Sequence, residues 1–203
     1  MSFAVLITMI FTSAIIIFAA SFLIVEIYVV IVGHLKGAPY VRSKKEKIKT
    51  MLELADIKPG EVVVDLGSGD GSILIEAAKR GAIAMGIEIN PFLVWHSRRH
   101  VRRAGLEDKI KILKSDFRSR HLGNADVIFL YLWPSTIEEL QEKFSRELKP
   151  GTRIVSNGFP LLRLEPHALK NGVFIYHYRG ETSIVGGWAP APGVESFKFK
   201  PYD

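Results

Sequence analysis

Apolar positions are distributed in two regimes along this chain. Phe3 to Val25 carry no charge, and the apolar run continues to Val32 with Glu26 as its sole ionisable residue. As a helix this stretch is about 45 Å long at about 1.5 Å per residue, whereas about 20 residues suffice to cross a hydrocarbon core. The pattern predicts a transmembrane anchor over 1–32. A secretory signal peptide fits less well, because no Lys or Arg precedes the run and the run exceeds an ordinary h-region. A buried helix of a soluble protein would need a larger fold around it, since this one is apolar on every side.

From residue 43 onward the pattern breaks into short blocks that alternate between strand and helix periods. Ile48, Met51, Leu52 and Ala55 form one helical stripe over 43–55. Residues 61–66 are a short β-branched run, 67–71 a glycine-rich turn, and 72–80 a helix stopped at Gly81. A second strand is predicted over 83–89. The helix over 91–104 is entered through Asn90-Pro91, a capping residue followed by proline at the first helical position. Strands follow at 109–113 and 126–132. A helix over 135–148 has Ser135 as its expected cap, with Glu138 completing a capping box. A fifth strand is predicted at 152–156. Residues 173–178 and 182–188, joined by Arg179-Gly180-Glu181, read as a terminal hairpin. Alternation of this kind predicts an α/β fold: a mainly parallel, Rossmann-like sheet with right-handed crossovers and an antiparallel hairpin at its end. The domain organisation is then an anchor over 1–32, a basic juxtamembrane segment over 33–50, a catalytic domain over 51–190 and an irregular, proline-rich tail over 191–203.

Charge gives the anchor an orientation. Of the formal net charge of +6, nearly all sits in one segment, where Lys36, Arg42, Lys44, Lys45, Lys47 and Lys49 face only Glu46. Nothing basic precedes the apolar run, so the positive-inside rule places the following domain on the cytoplasmic side. The same basic segment, 36–49, suits anionic lipid headgroups at about 1 kcal/mol per residue. Residues 51–203 are close to neutral, with 21 basic against 19 acidic residues, and no nucleic-acid partner is expected. The chain is 48% hydrophobic, which excludes a disordered protein. It has no cysteine, which removes disulfide scaffolds, zinc–thiolate sites and thiol nucleophiles together. No metal site is expected: His96 and His100 lie four apart but lack a carboxylate partner at metal spacing.

The chemistry is predicted at the carboxyl ends of the first strands, where open α/β sheets bind their ligands. The first strand runs into Asp65-Leu66-Gly67-Ser68-Gly69-Asp70-Gly71. Glycines at alternate positions let the backbone pass close to a ligand and adopt positive φ. The dinucleotide fingerprint needs its third glycine one residue later, and Asp65 and Asp70 would repel a pyrophosphate. They suit a cationic or zwitterionic ligand such as S-adenosylmethionine. Glu88, at the end of the second strand, can accept from two ribose hydroxyls. After the third strand, Asp116 can accept from an adenine amino group, and Phe117 beside it can stack on the base.

With these residues in place, the stretch from Met51 to Trp188 resembles the class I, seven-strand methyltransferases. Pro39 to Ser43, Met51 to Ala55, the glycine loop and Lys143 to Phe159 resemble one branch of them, the protein-lysine methyltransferases acting on ATP synthase subunit c and on the adenine nucleotide translocase. That family carries an N-terminal hydrophobic segment and an aromatic-Val-Pro-Ser/Thr stretch; here Arg42 replaces the usual proline. The resemblance implies S-adenosylmethionine as cofactor and a lysine of a protein, at or in a membrane, as acceptor. It implies a cofactor-binding set of Tyr40, Ser43, Asp65, Gly67, Ser68, Gly69, Asp70, Gly71, Glu88, Asn90, Asp116 and Phe117.

For the acceptor, Tyr131-Leu132-Trp133-Pro134 follows the fourth strand, and Tyr131 and Trp133 are the candidates for its channel. Aromatic walls hold an ammonium by cation–π attraction of about 0.5–2 kcal/mol; the same residues also fit plain core packing. No catalytic triad is expected, because positioning and desolvation carry most of a methyl transfer. Two other functions fit the same residues: methylation of a lipid, quinone or other membrane-soluble molecule, and a cofactor-binding adaptor without catalysis.

Overall fold

The computed structural model describes residues 3–36 and 41–180 and divides into two compact units, Met1–Tyr40 and Val41–Asp203. The first unit is one helix, α1 (Phe3–Lys36). Within it Ile7–Tyr28 is long and apolar enough to cross a membrane, with a mean hydropathy of 2.4. Every side chain from Ile7 to Tyr28 is exposed. Two of its hydroxyls bond its own backbone: Thr12 Oγ1 donates to the carbonyls of Thr8 and Met9, and Ser21 Oγ to that of Ile17.

The second unit is an α/β domain. Its elements in order are α2 (Lys45–Ala55), β1 (Val62–Leu66), α3 (Ser72–Lys79), β2 (Ile83–Glu88), α4 (Pro91–Arg103), β3 (Ile110–Lys114), β4 (Val127–Leu130), α5 (Pro134–Glu147), β5 (Arg153–Asn157), β6 (Ala168–Lys170) and β7 (Val173–His177). A single 3-10 turn, Phe117–Ser119, follows β3. The seven strands lie in the order β3-β2-β1-β4-β5-β7-β6. β1 to β5 are parallel, and β7 runs antiparallel to both β5 and β6. The order reverses beside β1, which puts the ligand crevice at the ends of β1, β2 and β4.

Two core layers sandwich the sheet. Met51, Leu52 and Ala55 of α2 join Leu74 and Ala77 of α3 and Val94 and Val101 of α4 on one face. Ile137, Leu140 and Phe144 of α5 pack with Leu66, Leu130 and Tyr176 on the other. The stripe expected over 43–55 is the buried face of α2. Asn90 caps α4 as expected, its side-chain oxygen accepting from Phe92 N at 2.9 Å and Leu93 N at 3.4 Å.

Two local expectations need correction. α5 begins at Pro134 with Trp133 as its N-cap, and no side chain caps it. Proline at the first position needs no N–H partner and brings a helical φ, so the helix starts one residue before Ser135 and no capping box forms there. The antiparallel hairpin is β6–β7, turned at Asn171 (φ 51°) and Gly172 (φ 66°). Positive φ at both central residues is the type I′ geometry that matches strand twist. The hairpin partner expected at 182–188, together with Trp188 and the tail, lies outside the described residues.

Candidate functional site

The glycine loop is held by the end of β2. Gly67 N and Ser68 N both donate to the Ile87 carbonyl, at 2.9 and 3.2 Å, and Gly71 N donates to Ser68 O at 2.9 Å. Gly67, Gly69 and Gly71 all have positive φ, of 80°, 52° and 77°. Space adds a second demand. A Cβ on Gly67 would stand 3.3 Å from Leu132, and one on Gly71 3.3 Å from Ser97 of α4. Gly67 and Gly71 are therefore demanded both by their dihedrals and by the neighbours that a Cβ would crowd, and Gly69 by its dihedral.

Three carboxylates line this loop. Asp65 is 4% exposed, Glu88 6% and Asp70 7%. Glu88 uses one oxygen on Gly69 N and the other on Asn90 N, both at 2.9 Å. Each oxygen keeps a further lone pair, so the carboxylate that fixes the loop can still accept from a ligand's hydroxyls. Asp70 Oδ1 accepts from Ser72 N at 3.0 Å at the start of α3, and Oδ2 lies 3.1 Å from Arg42 Nε. Among the described residues no hydrogen bond reaches the carboxylate of Asp65. Burial, and then the charges of Glu88 and Asp70, push its pKa up to about 8. Burial penalises any charge at this point, whereas the negative charges of Glu88 and Asp70 favour an incoming cation.

The remaining predicted residues fall around the same strand ends, with differing freedom. Ser68 is buried with its hydroxyl unpartnered and packs back against Gly86, away from the crevice: a Cβ on Gly86 would meet Ser68 Oγ at 2.5 Å and Leu74 Cδ1 at 2.6 Å. Asn90 spends its side-chain oxygen on the α4 cap. Asp116 Oδ1 accepts from Arg118 N at 2.9 Å, and the side chain remains part-exposed. Phe117 belongs to the core layer beneath, with the Arg118 guanidinium 5.3 Å above its ring. Ser43 is half-buried beside Arg42 in a groove against α3. Tyr40 lies outside the described residues.

At the end of β4, Tyr131 is 37% and Trp133 46% exposed, while Leu132 between them is buried. Trp133 meets Phe159 with ring centroids 5.9 Å apart, and Gly158 leaves room for the edge of Tyr131. Phe159 and the Arg42–Asp70 pair complete the site and were not read from the sequence. Phe159 follows a strand that the pattern did mark, and an aromatic beyond a parallel strand end was the available signal. Gly86 was likewise passed over; a lone glycine inside a strand marks a close approach.

These features fit S-adenosylmethionine: a glycine loop of positive φ at the strand ends, a carboxylate with spare acceptors for a ribose, and a cluster of buried carboxyl groups for a sulfonium and an ammonium. The comparisons agree. Residues 65–168 match the family model of the ANTKMT methyltransferase domain. The chain is 30% identical to a protein-lysine N-methyltransferase of Saccharolobus islandicus, covering 71% of this chain and 96% of that one. It is 37% identical to the mouse adenine nucleotide translocase lysine N-methyltransferase over 64% of this chain, and it spans 57% of that enzyme's length. An RNA methyltransferase of Salinibacter ruber, solved with S-adenosyl-L-homocysteine, superposes with a TM-score of 0.64 at 37% identity, over 68% of this chain and 93% of that one. The chain belongs to the ANTKMT methyltransferase family and is an S-adenosylmethionine-dependent methyltransferase.

Proposed function

We propose that this enzyme methylates the ε-amino group of a lysine on a protein embedded in or lying at a membrane. α1 anchors the domain on the cytoplasmic side, and residues 36–49 rest against anionic headgroups. The observation that carries the acceptor assignment is the pair of exposed aromatics after β4, Tyr131 and Trp133, with the part-buried Phe159 ring 5.9 Å from that of Trp133. Such walls hold an alkylammonium and strip its water. The naming of the Saccharolobus and mouse relatives supports the same acceptor.

Bound S-adenosylmethionine supplies an electrophilic methyl carbon on a sulfonium. The chain's own groups do the rest by position. Asp65 and Asp70 face the amino-acid end and Glu88 the ribose hydroxyls, with Ser43 closing the crevice from the α2 side. Asp116 lies at the adenine edge. Phe117, buried below it, shapes the floor and does not present a free stacking face. At the mouth, Tyr131 and Trp133 would guide a neutral amine toward the methyl carbon that the bound cofactor would present, and water or a neighbouring carboxylate would take the proton that the methylated product releases.

The test is transfer of radiolabel from S-adenosylmethionine into membranes of cells lacking this protein, with the Glu88→Ala variant in parallel. Label is counted in protein, organic-extractable lipid and RNA fractions. Label in a discrete protein band, lost with the variant, is expected. Label in the lipid fraction would replace the acceptor with a membrane-soluble small molecule, and label in RNA would align the enzyme with the Salinibacter relative.

A further inference from the structure

The outward face of α4 has no role in the site. Phe92 and Trp95 are 58% and 55% exposed, and they begin a stripe at helical spacing that continues through Arg99, Arg102 and Arg103. The two rings are 6.0 Å apart, and the Arg99 guanidinium lies 5.7 Å over the Trp95 ring. Beside the stripe a groove of about 580 Å³ is walled by Trp95, the arginines and Lys114 of the edge strand β3. α4 contains no acidic residue. Arg102 pairs with Glu107 at 3.4 Å, and Arg98 is tied to the Ile112 carbonyl at 2.8 Å. Among the described residues, no carboxylate pairs with Arg99, Arg103 or Lys114.

We propose that this face of α4 is a second membrane-contact surface, which seats on an anionic bilayer with Phe92 and Trp95 at headgroup depth and the arginines on lipid phosphates. Exposed large aromatics and a basic stripe on one amphipathic helix are the composition of an interfacial helix. Arginine forms bidentate bonds to phosphate, and a guanidinium over an indole keeps both groups at the same depth. The inference rests on the reading of α1 as a span. A domain joined to such a helix through residues 37–40 meets the bilayer repeatedly, so even a weak second contact is populated through effective concentration.

The chain has no cysteine, which makes the test direct. Full-length Phe92→Cys, Trp95→Cys and, as a control on an exposed residue away from α4, Leu162→Cys are spin-labelled and mixed with vesicles of phosphatidylcholine, alone or with phosphatidylglycerol. Retained binding of S-adenosylhomocysteine verifies folding. The expected result is loss of collision with a water-soluble nickel complex at positions 92 and 95, confined to the anionic vesicles. It should be abolished by adding Arg99→Gln and Arg103→Gln, and Leu162→Cys should stay accessible throughout. Three results would overturn the proposal: full accessibility in both lipids, equal protection in neutral lipid, or protection by structured RNA and not by anionic vesicles. Carbonate-resistant flotation of the same samples reports α1 separately, so failure of the span and failure of the α4 contact are read apart.

Discussion

Asp65 concentrates the chemistry of the site in one side chain. Its pKa is raised to about 8, so the folded protein holds this proton more tightly than the unfolded chain does. The stability it contributes is complete below its ordinary value of 3.8 and is lost as pH rises through about 8. Asp65→Asn is therefore expected to raise the melting temperature of the cofactor-free protein above about pH 8, measured by differential scanning calorimetry across pH. The same substitution should abolish cofactor binding. In the unmodified protein, S-adenosylmethionine should bind more tightly as pH rises toward that value, because below it a proton must leave before a carboxylate can face the ammonium. Glu88 has both oxygens on backbone amides. Glu88→Ala is expected to weaken cofactor binding by about 1–3 kcal/mol, the range for losing hydrogen bonds to a charged group, read by titration calorimetry; unchanged affinity would remove it from the ribose site. The sequence made these acids legible because each stands at a strand end. It could not show that Ser68 turns inward, that Asn90 is committed to a cap or that Phe117 is floor rather than wall, since those depend on which way a side chain leaves the loop.

Among the elements, β2 and α5 show how tertiary contacts refine a local pattern. Gly86 lies mid-strand because Ser68 and Leu74 already occupy the place of its Cβ. Gly86→Ala should cost about 1–3 kcal/mol, the usual range for overpacking, and loosen the glycine loop, so both the denaturation midpoint and cofactor affinity should fall. Strand and helix periods located β1 to β5 and α2 to α5 within a residue or two. The start of α5 was misplaced because two N-terminal signals compete within two residues, and Pro134 prevails over Ser135. β6 went unread because three residues are too few to show a period, although Asn171-Gly172 is the strongest short turn signal in the chain.

At the scale of the molecule, the two units dispose their apolar residues differently. α1 exposes an apolar surface on all sides, whereas Val41 to Gly180 build a complete two-layered core of their own. The contrast between the two segments was legible from charge and periodicity, because they differ in those quantities more than in any other. The proposed acceptor site was less legible: its candidates are ordinary aromatics, and only the exposure of Tyr131 and Trp133 after β4 separates them from core. Trp133→Ala should therefore lower kcat/KM for the acceptor while leaving cofactor affinity unchanged, as steady-state kinetics and calorimetry on the same preparation would show. The most direct test of the whole account is to map the methyl group. Membranes from cells lacking this protein are incubated with the full-length enzyme and S-adenosylmethionine, and the labelled protein is digested and sequenced by mass spectrometry. The account predicts methylation on a lysine side-chain nitrogen, absent with Glu88→Ala. A methyl group on any other residue type, or no methylated protein at all from an enzyme that binds its cofactor, would contradict it.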